Sequence, residues 1–401
     1  MLDKKFDIIV VGAGIIGTAT AYKLQLKFPD KSIAILEKET EIGLHQTGRN
    51  SGVMHSGIYY KPGSYKAVNC NNGRNQLVKF AKQFNINHDV CGKVIVATTQ
   101  EEVPILDEIY KRGIQNGTEG ICFLTSEEIK EKEPFIEGIK AISVPTAGII
   151  DYVAVSKMFI QQISTINLES KLISSCKVEK VISSANSTVL QTNLGNLIAK
   201  KVIFCTGLQS DRIAEKDALK LDIHIVGFRG DYFELKPEAA HKIKNLVYPV
   251  PDPNFPFLGV HFTRMVDGSI ECGPNAVFTF KREGYKRTSF SLRDTLEALT
   301  FVGTWKLFGK NWRKGIDEYK RAFSKRLFVK ALQKMMPTIT VNDVQAARAG
   351  VRAQAIDYHG NMVDDFKIMK HNNNIHVLNA PSPAATSCMA IADEIVEVFI
   401  N

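Results

Sequence analysis

Long apolar runs and paired cysteines are both missing from this sequence. No hydrophobic stretch approaches the roughly 20 residues that a helix needs to cross a bilayer. A candidate strand begins at Phe6, so we expect neither a secretory signal nor a spanning helix. The seven cysteines are scattered and odd in number, and no two form a CxxC pair. That usage is typical of reduced thiols in a cytoplasmic protein and predicts no metal site.

Internal repeats and low-complexity tracts are also missing, and acidic residues are scarce in one region. With 401 residues, of which 44% are hydrophobic, the chain suits two or three globular domains. The net charge is +9, and residues 281–334 alone carry fifteen Lys or Arg against five Asp or Glu. This segment suits an acidic small molecule, anionic lipid or nucleic acid. Nucleic acid is the weakest choice because no stacking module accompanies the charge, and we expect none.

The first 38 residues predict a strand, a glycine turn, a helix and a second strand. Residues 6–11 (FDIIVV) are apolar, residues 12–17 spell GAGIIG, residues 18–28 have helical spacing, and SIAIL at 32–36 precedes an acid. In this order the first glycine allows a tight turn, the second admits a pyrophosphate, and the third lets helix and strand pack closely. The helix N-terminus attracts phosphate and the acid can accept ribose hydroxyls. We predict a dinucleotide site formed by Gly12, Gly14, Ile15, Ile16, Gly17, Glu37 and Lys38.

Later strands and helices predict a discontinuous nucleotide domain. Strand patterns recur at 177–183, 189–192, 199–205 and 375–378, and helical spacing recurs at 64–84, 101–116, 126–132, 149–163 and 388–399. Ser126 is the expected cap of the third of these helices. We predict an α/β protein with a Rossmann-like dinucleotide-binding domain in three segments (1–90, 148–225 and 345–401). An α+β substrate domain (91–147 and 226–344) with a mixed or antiparallel sheet is inserted, since strands such as 228–235 alternate.

Two polar loops favour FAD over NAD as the dinucleotide. Residues 45–52 (HQTGRNSG) suit a ribityl chain and pyrophosphate, and residues 379–387 (NAPSPAATS) lead into the last helical pattern. The second loop would aim a helix N-terminus at the N1/O2 region of a reduced flavin. Each loop alone is typical of a surface turn. Two loops returning to one nucleotide domain favour a large, buried FAD.

Seven runs together resemble the L-2-hydroxyglutarate oxidase/dehydrogenase family. That family lies in the superfamily of FAD-dependent amine and hydroxyacid oxidases, with glycine oxidase, D-amino-acid oxidase and glycerol-3-phosphate dehydrogenase. The resemblance covers nearly the whole chain. It rests on HQTGRNSGVMHSGIYYKPGS (45–64), FRGDYF (228–233), YPVPDPNFPFLGVHFTRMVDGS (248–269), GPNAV (273–277), KREGY (281–285), AGVRAQA (349–355) and NAPSPAATS (379–387).

The resemblance implies which residues hold a FAD that is bound without a covalent link. The backbone of Val178 would hold the adenine, and Thr206 and Gly207 would cover the pyrophosphate. The end loop is rich in Pro and Ala where glycine oxidases have glycine, and no cysteine is obviously placed to attach the flavin. The remaining expected contacts are His45, Thr47, Asn50, Ser51 and Gly52 from the first loop, and Pro383, Ala384, Ala385, Thr386 and Ser387 from the second.

A 2-hydroxy diacid brings two carboxylates, so its pocket needs two cationic groups. Arg352 is our first choice, because a matching arginine grips the substrate carboxylate in glycine oxidase relatives and its planar fork binds a carboxylate bidentately. A structural ion pair is the alternative for this arginine. Arg264, Lys281 and Lys61 compete for the distal carboxylate, although each is also typical of a solvated surface charge. Tyr60 and its neighbour Tyr59 are expected to close the pocket or to hydrogen-bond the substrate.

The hydroxyl proton of such a substrate needs a base, and histidine has a suitable pKa. Of the nine histidines, His55 and His261 lie inside the resembling runs, whereas His88, His241 and His371 lie in polar surroundings that are typical of surface residues. His261 is expected to point from the substrate sheet toward the flavin. His55 belongs to the flavin-side loop, and its alternative role is to hold the isoalloxazine ring. A structural role is as well supported as a catalytic one for each.

The sequence therefore predicts an enzyme that oxidises L-2-hydroxyglutarate to 2-oxoglutarate by hydride transfer to flavin N5. A membrane quinone or oxygen would reoxidise the flavin. One alternative is another small anionic substrate, such as glycerol 3-phosphate or an amino acid. The other is a flavin-binding protein that has no turnover.

The basic segment predicts amphipathic helices within residues 290–336. Between 301 and 330, tryptophans, phenylalanines and leucines are interleaved with lysines and arginines at helical intervals. This pattern describes helices that lie in an anionic membrane surface with the apolar side down, which would make the protein peripheral on the inner face of the cell membrane. The alternative is a helix that packs the same apolar side onto the protein's own sheet.

Overall fold

The computed structural model describes residues 4–252 and 259–401. Residues 253–258, which belong to the resembling run 248–269, lie outside the described residues. The strands are β1 (Lys4–Val11), β2 (Ile33–Leu36), β3 (Val53–Met54), β4 (His88–Asp89), β5 (Lys93–Ala97), β6 (Cys122–Leu124), β7 (Lys140–Val144), β8 (Gly148–Ile150), β9 (Lys171–Ile173), β10 (Val178–Ser183), β11 (Thr188–Thr192), β12 (Gly195–Phe204), β13 (Ile223–Leu235), β14 (Leu246–Pro249), β15 (His261–Arg264), β16 (Ile270–Gly273), β17 (Val277–Phe278), β18 (Val344–Asp357), β19 (Lys367–His371) and β20 (Asn374–Asn379). The helices are α1 (Ile15–Lys27), α2 (Tyr65–Gln83), α3 (Val103–Gln115), α4 (Ser126–Lys132), α5 (Tyr152–Ile166), α6 (Ser210–Lys216), α7 (Leu292–Thr300), α8 (Val302–Phe323), α9 (Lys325–Leu332) and α10 (Cys388–Ile400).

The first sheet carries the glycine motif and is buried on both faces. Its order is β9–β2–β1–β12–β20–β19, with the β10–β11 hairpin on the free half of β12. The strands β9, β2, β1, β12 and β20 run parallel. Ile8 and Val10 of β1 pack under α1, α5 and α10, whereas Ile9 and Val11 pack on the other side. This double burial explains why the run 6–11 is continuously apolar.

The second sheet is mixed and larger. Its path is β17–β13–β16–β15–β14–β5–β7–β6, and β18 pairs antiparallel with β13 from Val344 to Asp357. One face packs on α9 through residues such as Val247, Phe262 and Phe233. The two sheets confirm the predicted α/β class, with a Rossmann-like sheet assembled from separated segments.

Sheet membership adds detail to the predicted domain division. β18 lies in the second sheet over its whole length, and the chain returns to the first sheet at β19. The domain boundary that the sequence predicts, at residue 345, would instead place β18 in the nucleotide domain. The domain limits themselves stay a prediction.

Two helix starts differ from the sequence expectation for local reasons. Thr125, and not Ser126, caps α4, because its hydroxyl accepts from the Glu128 N–H while the Glu128 carboxylate accepts from the Thr125 N–H. The helix expected from residue 149 begins at Tyr152, because Gly148–Ile150 pairs as β8 and Asp151 caps α5.

Candidate active site

The glycine turn between β1 and α1 is tightly packed. Gly12 has φ +101°, a conformation that favours glycine. A Cβ on Gly12 would overlap the carbonyl oxygen of Cys205, and one on Gly17 would overlap the carbonyl oxygen of Gly12. A side chain at either position would therefore separate the helix from the sheet. Gly14 is the N-cap residue of α1 and has no side-chain cap, which leaves this helix end open to an anion.

Thr47 and Glu37 both reach this turn. The Thr47 hydroxyl accepts a 2.9 Å hydrogen bond from the Ile15 N–H. The Glu37 carboxylate, at the end of β2, accepts 3.0 Å bonds from the N–H groups of Ala13 and Glu39. The structure thus brings four of the predicted cofactor residues, Gly14, Ile15, Glu37 and Thr47, to one helix end, and Ile16 and Gly17 follow in its first turn.

The loop 45–52 is held in shape by its own side chains and by the second sheet. The Asn50 amide donates to the carbonyls of Gln46 and Thr47 at 3.0 and 2.7 Å and accepts from the Gly52 N–H at 2.7 Å. Arg348 of β18 donates to the carbonyls of Gly48 and Asn50 at 2.6 and 2.9 Å. Asn50 therefore shapes the loop. Ser51 is half-buried beside it.

Lys38 and His45 belong to a charged cluster at the mouth of this loop. The Lys38 ammonium donates to Glu39 and to Glu283, the latter at 2.9 Å, and lies 3.1 Å from His45 Nε2. His45 Nδ1 lies 2.6 Å from the Tyr285 hydroxyl. Within the described ranges, one cluster of carboxylates and imidazole has its atoms close enough together to hold a metal ion. It consists of Glu39, His45 and Glu283. The ammonium of Lys38 already bonds these ligands, so the cluster is an ion-pair network.

The end loop and the β12 terminus complete a polar cradle. The hydroxyls of Thr206 and Ser387 are buried and have no hydrogen-bond partner among the described residues. The Thr386 hydroxyl lies 3.1 Å from the His55 N–H and 3.0 Å from the Tyr152 hydroxyl. A Cβ on Gly73 of α2 would lie 2.6 Å from the Ser387 Cα, so α2 packs directly on this loop. Buried hydroxyls without partners fit a polar ligand.

Other predicted cofactor residues lie around the same cradle. Gly207 has φ +50° and faces Gln46 of the first loop. Pro383, Ala384 and Ala385 form the turn into α10, in which the Pro383 carbonyl accepts from the Ser387 N–H at 3.0 Å. Val178 lies at the start of β10, and its carbonyl accepts from the Lys216 ammonium at 3.2 Å.

Strand register brings five polar side chains onto one face of the second sheet. Directly opposed residues share a face. Lys93 opposes Leu246, which places it on the face of Tyr248, and the Val247–Phe262 pair places Tyr248 beside His261 on that face. Phe233 opposes Cys272 in the packed core, which leaves Tyr232 on the His261 face. Arg352 opposes Phe228, which is four residues before Tyr232 and therefore on the same face.

Lys93 is the residue that the sequence analysis missed. It is 2% exposed, and its ammonium lies 4.5 Å from the Tyr59 ring centroid and 4.9 Å from that of Tyr248. Burial lowers its pKa to about 7. A signal was available, because a lysine inside the buried run CGKVIV breaks the apolar pattern.

His261 has a fixed tautomer. Its Nδ1 lies 2.8 Å from the Gly259 carbonyl, which accepts only, so Nδ1 carries the proton and Nε2 keeps its lone pair. The ring lies 4.0 Å from that of Tyr248, and the residue is 4% exposed. Burial, together with the charges of Arg352 and Lys93, lowers the pKa of His261 to about 3.

His55 lies at the centre of these charges. The backbone N–H of His55 donates to the Thr386 hydroxyl at 3.1 Å, and its backbone carbonyl accepts from the Cys70 thiol at 3.3 Å. Its half-exposed ring has no hydrogen bond among the described residues. Burial, together with the interactions with Lys93, His261 and Arg352, lowers the pKa of His55 to about 3. The ring is neutral at pH 7 and able to accept a proton.

The structure does not bring the other predicted substrate cations to this face. Arg264 is ion-paired with Asp89, and it points to the opposite side of β15 from His261. Lys61 and Lys281 are exposed. Tyr60 is half-buried, and its hydroxyl hydrogen-bonds Ser382 of the end loop, so it ties the two flavin-side loops together. These four roles as substrate ligands therefore gain no support from the geometry.

Comparison with known proteins decides the family. The family model for FAD dependent oxidoreductases (DAO) matches residues 7–398. The chain is 46% identical over 393 residues to the L-2-hydroxyglutarate dehydrogenase of Indibacter alkaliphilus, which covers 98% of both chains. It is 45% identical over 413 residues to the mitochondrial L-2-hydroxyglutarate dehydrogenase of Homo sapiens, which covers 98% of this chain and 89% of that relative. The chain belongs to the L-2-hydroxyglutarate dehydrogenase family of FAD-dependent oxidoreductases.

Solved structures agree with this L-2-hydroxyglutarate dehydrogenase fold. The dithionite-reduced L-α-glycerophosphate oxidase of Mycoplasma pneumoniae with FAD bound has a TM-score of 0.80 at 22% identity, and covers 99% of this chain and 95% of its own. The glycine oxidase of Geobacillus kaustophilus has a TM-score of 0.74 at 16% identity over 99% and 95%. The predicted resemblance, enzyme class and FAD cofactor are confirmed, and the individual contact residues stay predictions.

The helices of the structure also bear on membrane spanning. In residues 4–252 and 259–401, none of the helices combines the length and apolarity that crossing a bilayer requires.

Proposed function

We propose that this enzyme oxidises L-2-hydroxyglutarate to 2-oxoglutarate at the face shared by Lys93, His261 and Arg352. The observation that carries the proposal is the charge of this face. Burial, together with the charges of Lys93 and Arg352, lowers the pKa of both histidines there, and a dianion that binds beside the two cations offsets their charge. A substrate with two carboxylates supplies that charge, and the curated relatives act on such a diacid.

Each residue of this face has a separate role in the reaction. Arg352 binds the carboxylate next to the reacting carbon, and FAD supplies the hydride acceptor, flavin N5, when bound. His55 accepts the hydroxyl proton, because its ring is the half-exposed one and has no competing hydrogen bond within the described chain. His261, with Nδ1 given to Gly259, orients the hydroxyl through Nε2.

Arg352→Lys tests the carboxylate assignment. A point charge cannot reproduce the bidentate fork, so KM for L-2-hydroxyglutarate should rise at least about tenfold while FAD content stays unchanged. Steady-state turnover with an artificial acceptor measures both values, and glycerol 3-phosphate and L-amino acids serve as competing substrates. Unchanged kinetics would place the carboxylate clamp elsewhere, and preferred turnover of a competitor would replace the proposed substrate.

The surface of helix α8 bears on which electron acceptor reoxidises the flavin. The side chains of Val302, Trp305, Trp312, Ile316 and Phe323 recur at helical spacing and are exposed, with Trp305 at 58%, Trp312 at 56% and Phe323 at 67%. Leu307 and Ala322, on the opposite side of the helix, are buried. The helix therefore packs one side on the protein and leaves a second apolar stripe in solvent.

This stripe supports peripheral attachment to an anionic membrane on the cytoplasmic side. Lys306, Arg313 and Lys320 lie beside it, and cations beside an exposed tryptophan stripe are typical of a helix in the headgroup layer. Attachment would bring the reduced flavin to a membrane quinone, which we favour over oxygen as the acceptor. Oxygen consumption without added quinone at the full turnover rate would favour oxygen instead.

A further inference from the structure

The Lys93 ammonium is caged between two aromatic rings. Lys93 belongs to β5, which pairs with β14 on one side and with β7 on the other. Its nitrogen lies 4.5 Å from the Tyr59 centroid and 4.9 Å from that of Tyr248, distances at which a ring face attracts a cation. The two rings hold the ammonium in place, and neither ring supplies a negative charge to pair with it.

No carboxylate of the described residues pairs with this buried charge. Glu271, on the same face, bonds Arg348 at 2.8 Å, and Asp89 is paired with Arg264. The titratable groups that face Lys93 are Tyr59 and His55 from the segment between β3 and α2, Cys70 from α2, Tyr248 from β14 and His261 from β15. None of these carries a negative charge at pH 7. Because buried charges in proteins are paired, the missing anion points to a ligand.

A second buried group beside the lysine lacks a partner. The Tyr59 hydroxyl is enclosed, and the described residues offer it no hydrogen bond. The hydroxyl of Tyr248, the other wall of the cage, already shares a hydrogen bond with the Thr263 hydroxyl. An ammonium and a phenol donor at one place match the two oxygens of a carboxylate.

Lys93 and Arg352 lie at two ends of the charged face. They come from strands β5 and β18, and β14, β15, β16 and β13 lie between them in the sheet. The charges of Lys93 and Arg352 both act on His55 and on His261, so both cations lie near the two histidines. A diacid that reacts at the histidines thus has one cation for each carboxylate.

We propose that Lys93, with the Tyr59 hydroxyl, binds the carboxylate distal to the reacting carbon and so selects dicarboxylates over monocarboxylates. The inference rests on the proposed oxidation of L-2-hydroxyglutarate and adds the residue that sets its specificity.

The test compares Lys93→Met with the parent enzyme on two substrates, L-2-hydroxyglutarate and L-2-hydroxyvalerate, which lacks the second carboxylate. Loss of one partner of a buried ion pair should lower kcat/KM on the diacid about 100-fold. The value on the monoacid should fall far less, because that substrate has no carboxylate to pair with the lysine, so the preference for the diacid over the monoacid should be lost. Lys93→Arg, which keeps the charge, should retain part of the diacid preference.

The pH dependence gives a second readout. Because the pKa of Lys93 is about 7 in the free enzyme, kcat/KM on the diacid should fall as pH rises through 7. That fall should vanish in Lys93→Met and on the monoacid. Full FAD content, read from the flavin absorbance, shows that each variant is folded.

Two results would overturn the inference, and each is distinct from failure of the proposed function. If Lys93→Met loses the same factor on both substrates, the lysine is structural or acts as the base. If it changes neither, the distal carboxylate is bound elsewhere. If the parent enzyme oxidises neither substrate, the proposed function itself is wrong.

Discussion

Lys93 weakens the fold in which it is buried. Its pKa is about 7 in the folded chain against an ordinary 10.5, so between these values the unfolded chain binds more protons and the free energy of unfolding rises with pH. The penalty is full below pH 7 and disappears above 10.5. Residues kept at such a cost are concentrated at functional sites.

Lys93→Met should therefore be more stable than the parent at pH 6, and the difference should shrink as pH approaches 10.5. Denaturant unfolding of both proteins across this pH range measures it. A difference that does not change with pH would mean that the pKa of Lys93 is the same in the folded and in the unfolded chain. Addition of L-2-hydroxyglutarate should stabilise the parent more than the variant.

His55 and His261 have the same low pKa but different geometry. His55→Ala should slow flavin reduction at saturating substrate about 100-fold or more, because a general base contributes on that scale. His261→Ala should act more weakly, since this ring orients the hydroxyl. Stopped-flow absorbance of the flavin separates the two. Normal reduction by His55→Ala together with strong loss in His261→Ala would exchange the roles.

At the scale of elements, the glycine turn separates fold from cofactor binding. Gly17→Ala places a Cβ onto the Gly12 carbonyl, so we expect a large loss of thermal stability together with the loss of FAD. Gly14 has open space apart from the Thr47 hydroxyl at 3.3 Å. Gly14→Val should therefore fold and yet fail to retain FAD, because its side chain occupies the pyrophosphate position. Circular dichroism and flavin absorbance distinguish these outcomes, and a Gly14→Val protein with full FAD would refute the role of this turn.

The local elements were predictable where the signal is local. Phe6–Val11, the glycine turn and the last helix follow from composition and spacing within a few residues of one another. The start of α5 was misplaced because β8 pairs Gly148–Ile150 with strands that are distant in sequence. Lys93 was missed for a related reason. The run CGKVIV is typical of a buried strand, but the pairing of residue 93 with residue 246, which brings Lys93 to His261, is set by long-range packing that no local pattern records.

At the scale of the molecule, the site lies where two sheets are clamped together. Arg348 ties the second sheet to the flavin-side loop. Arg282, beside β17, is ion-paired with the buried Asp211 of α6, and Arg212 of α6 bonds Asp294 of α7 at 2.6 Å. These links fix the charged face against the FAD cradle, which hydride transfer requires.

The exposed stripe of α8 predicts vesicle binding by the whole enzyme. Co-sedimentation with anionic vesicles at low salt should exceed that with neutral vesicles. Trp312→Ser with Phe323→Ser, or Arg313→Glu with Lys320→Glu, should weaken it severalfold. Leu168→Ser, at a residue 92% exposed elsewhere on the surface, and Lys130→Glu with Lys132→Glu on α4 are matched controls. Equal binding by all variants, or none by the parent, would refute membrane attachment.

The central claim is that the FAD of this enzyme is reduced by one enantiomer of one diacid. Anaerobic titration of the purified holoenzyme with L- and D-2-hydroxyglutarate tests it most directly, with flavin absorbance as the readout. We expect the L enantiomer to bleach the flavin with stoichiometric formation of 2-oxoglutarate, and the D enantiomer to leave it oxidised. A flavin that stays oxidised with the L enantiomer, or that glycerol 3-phosphate or an L-amino acid bleaches faster, would contradict the account.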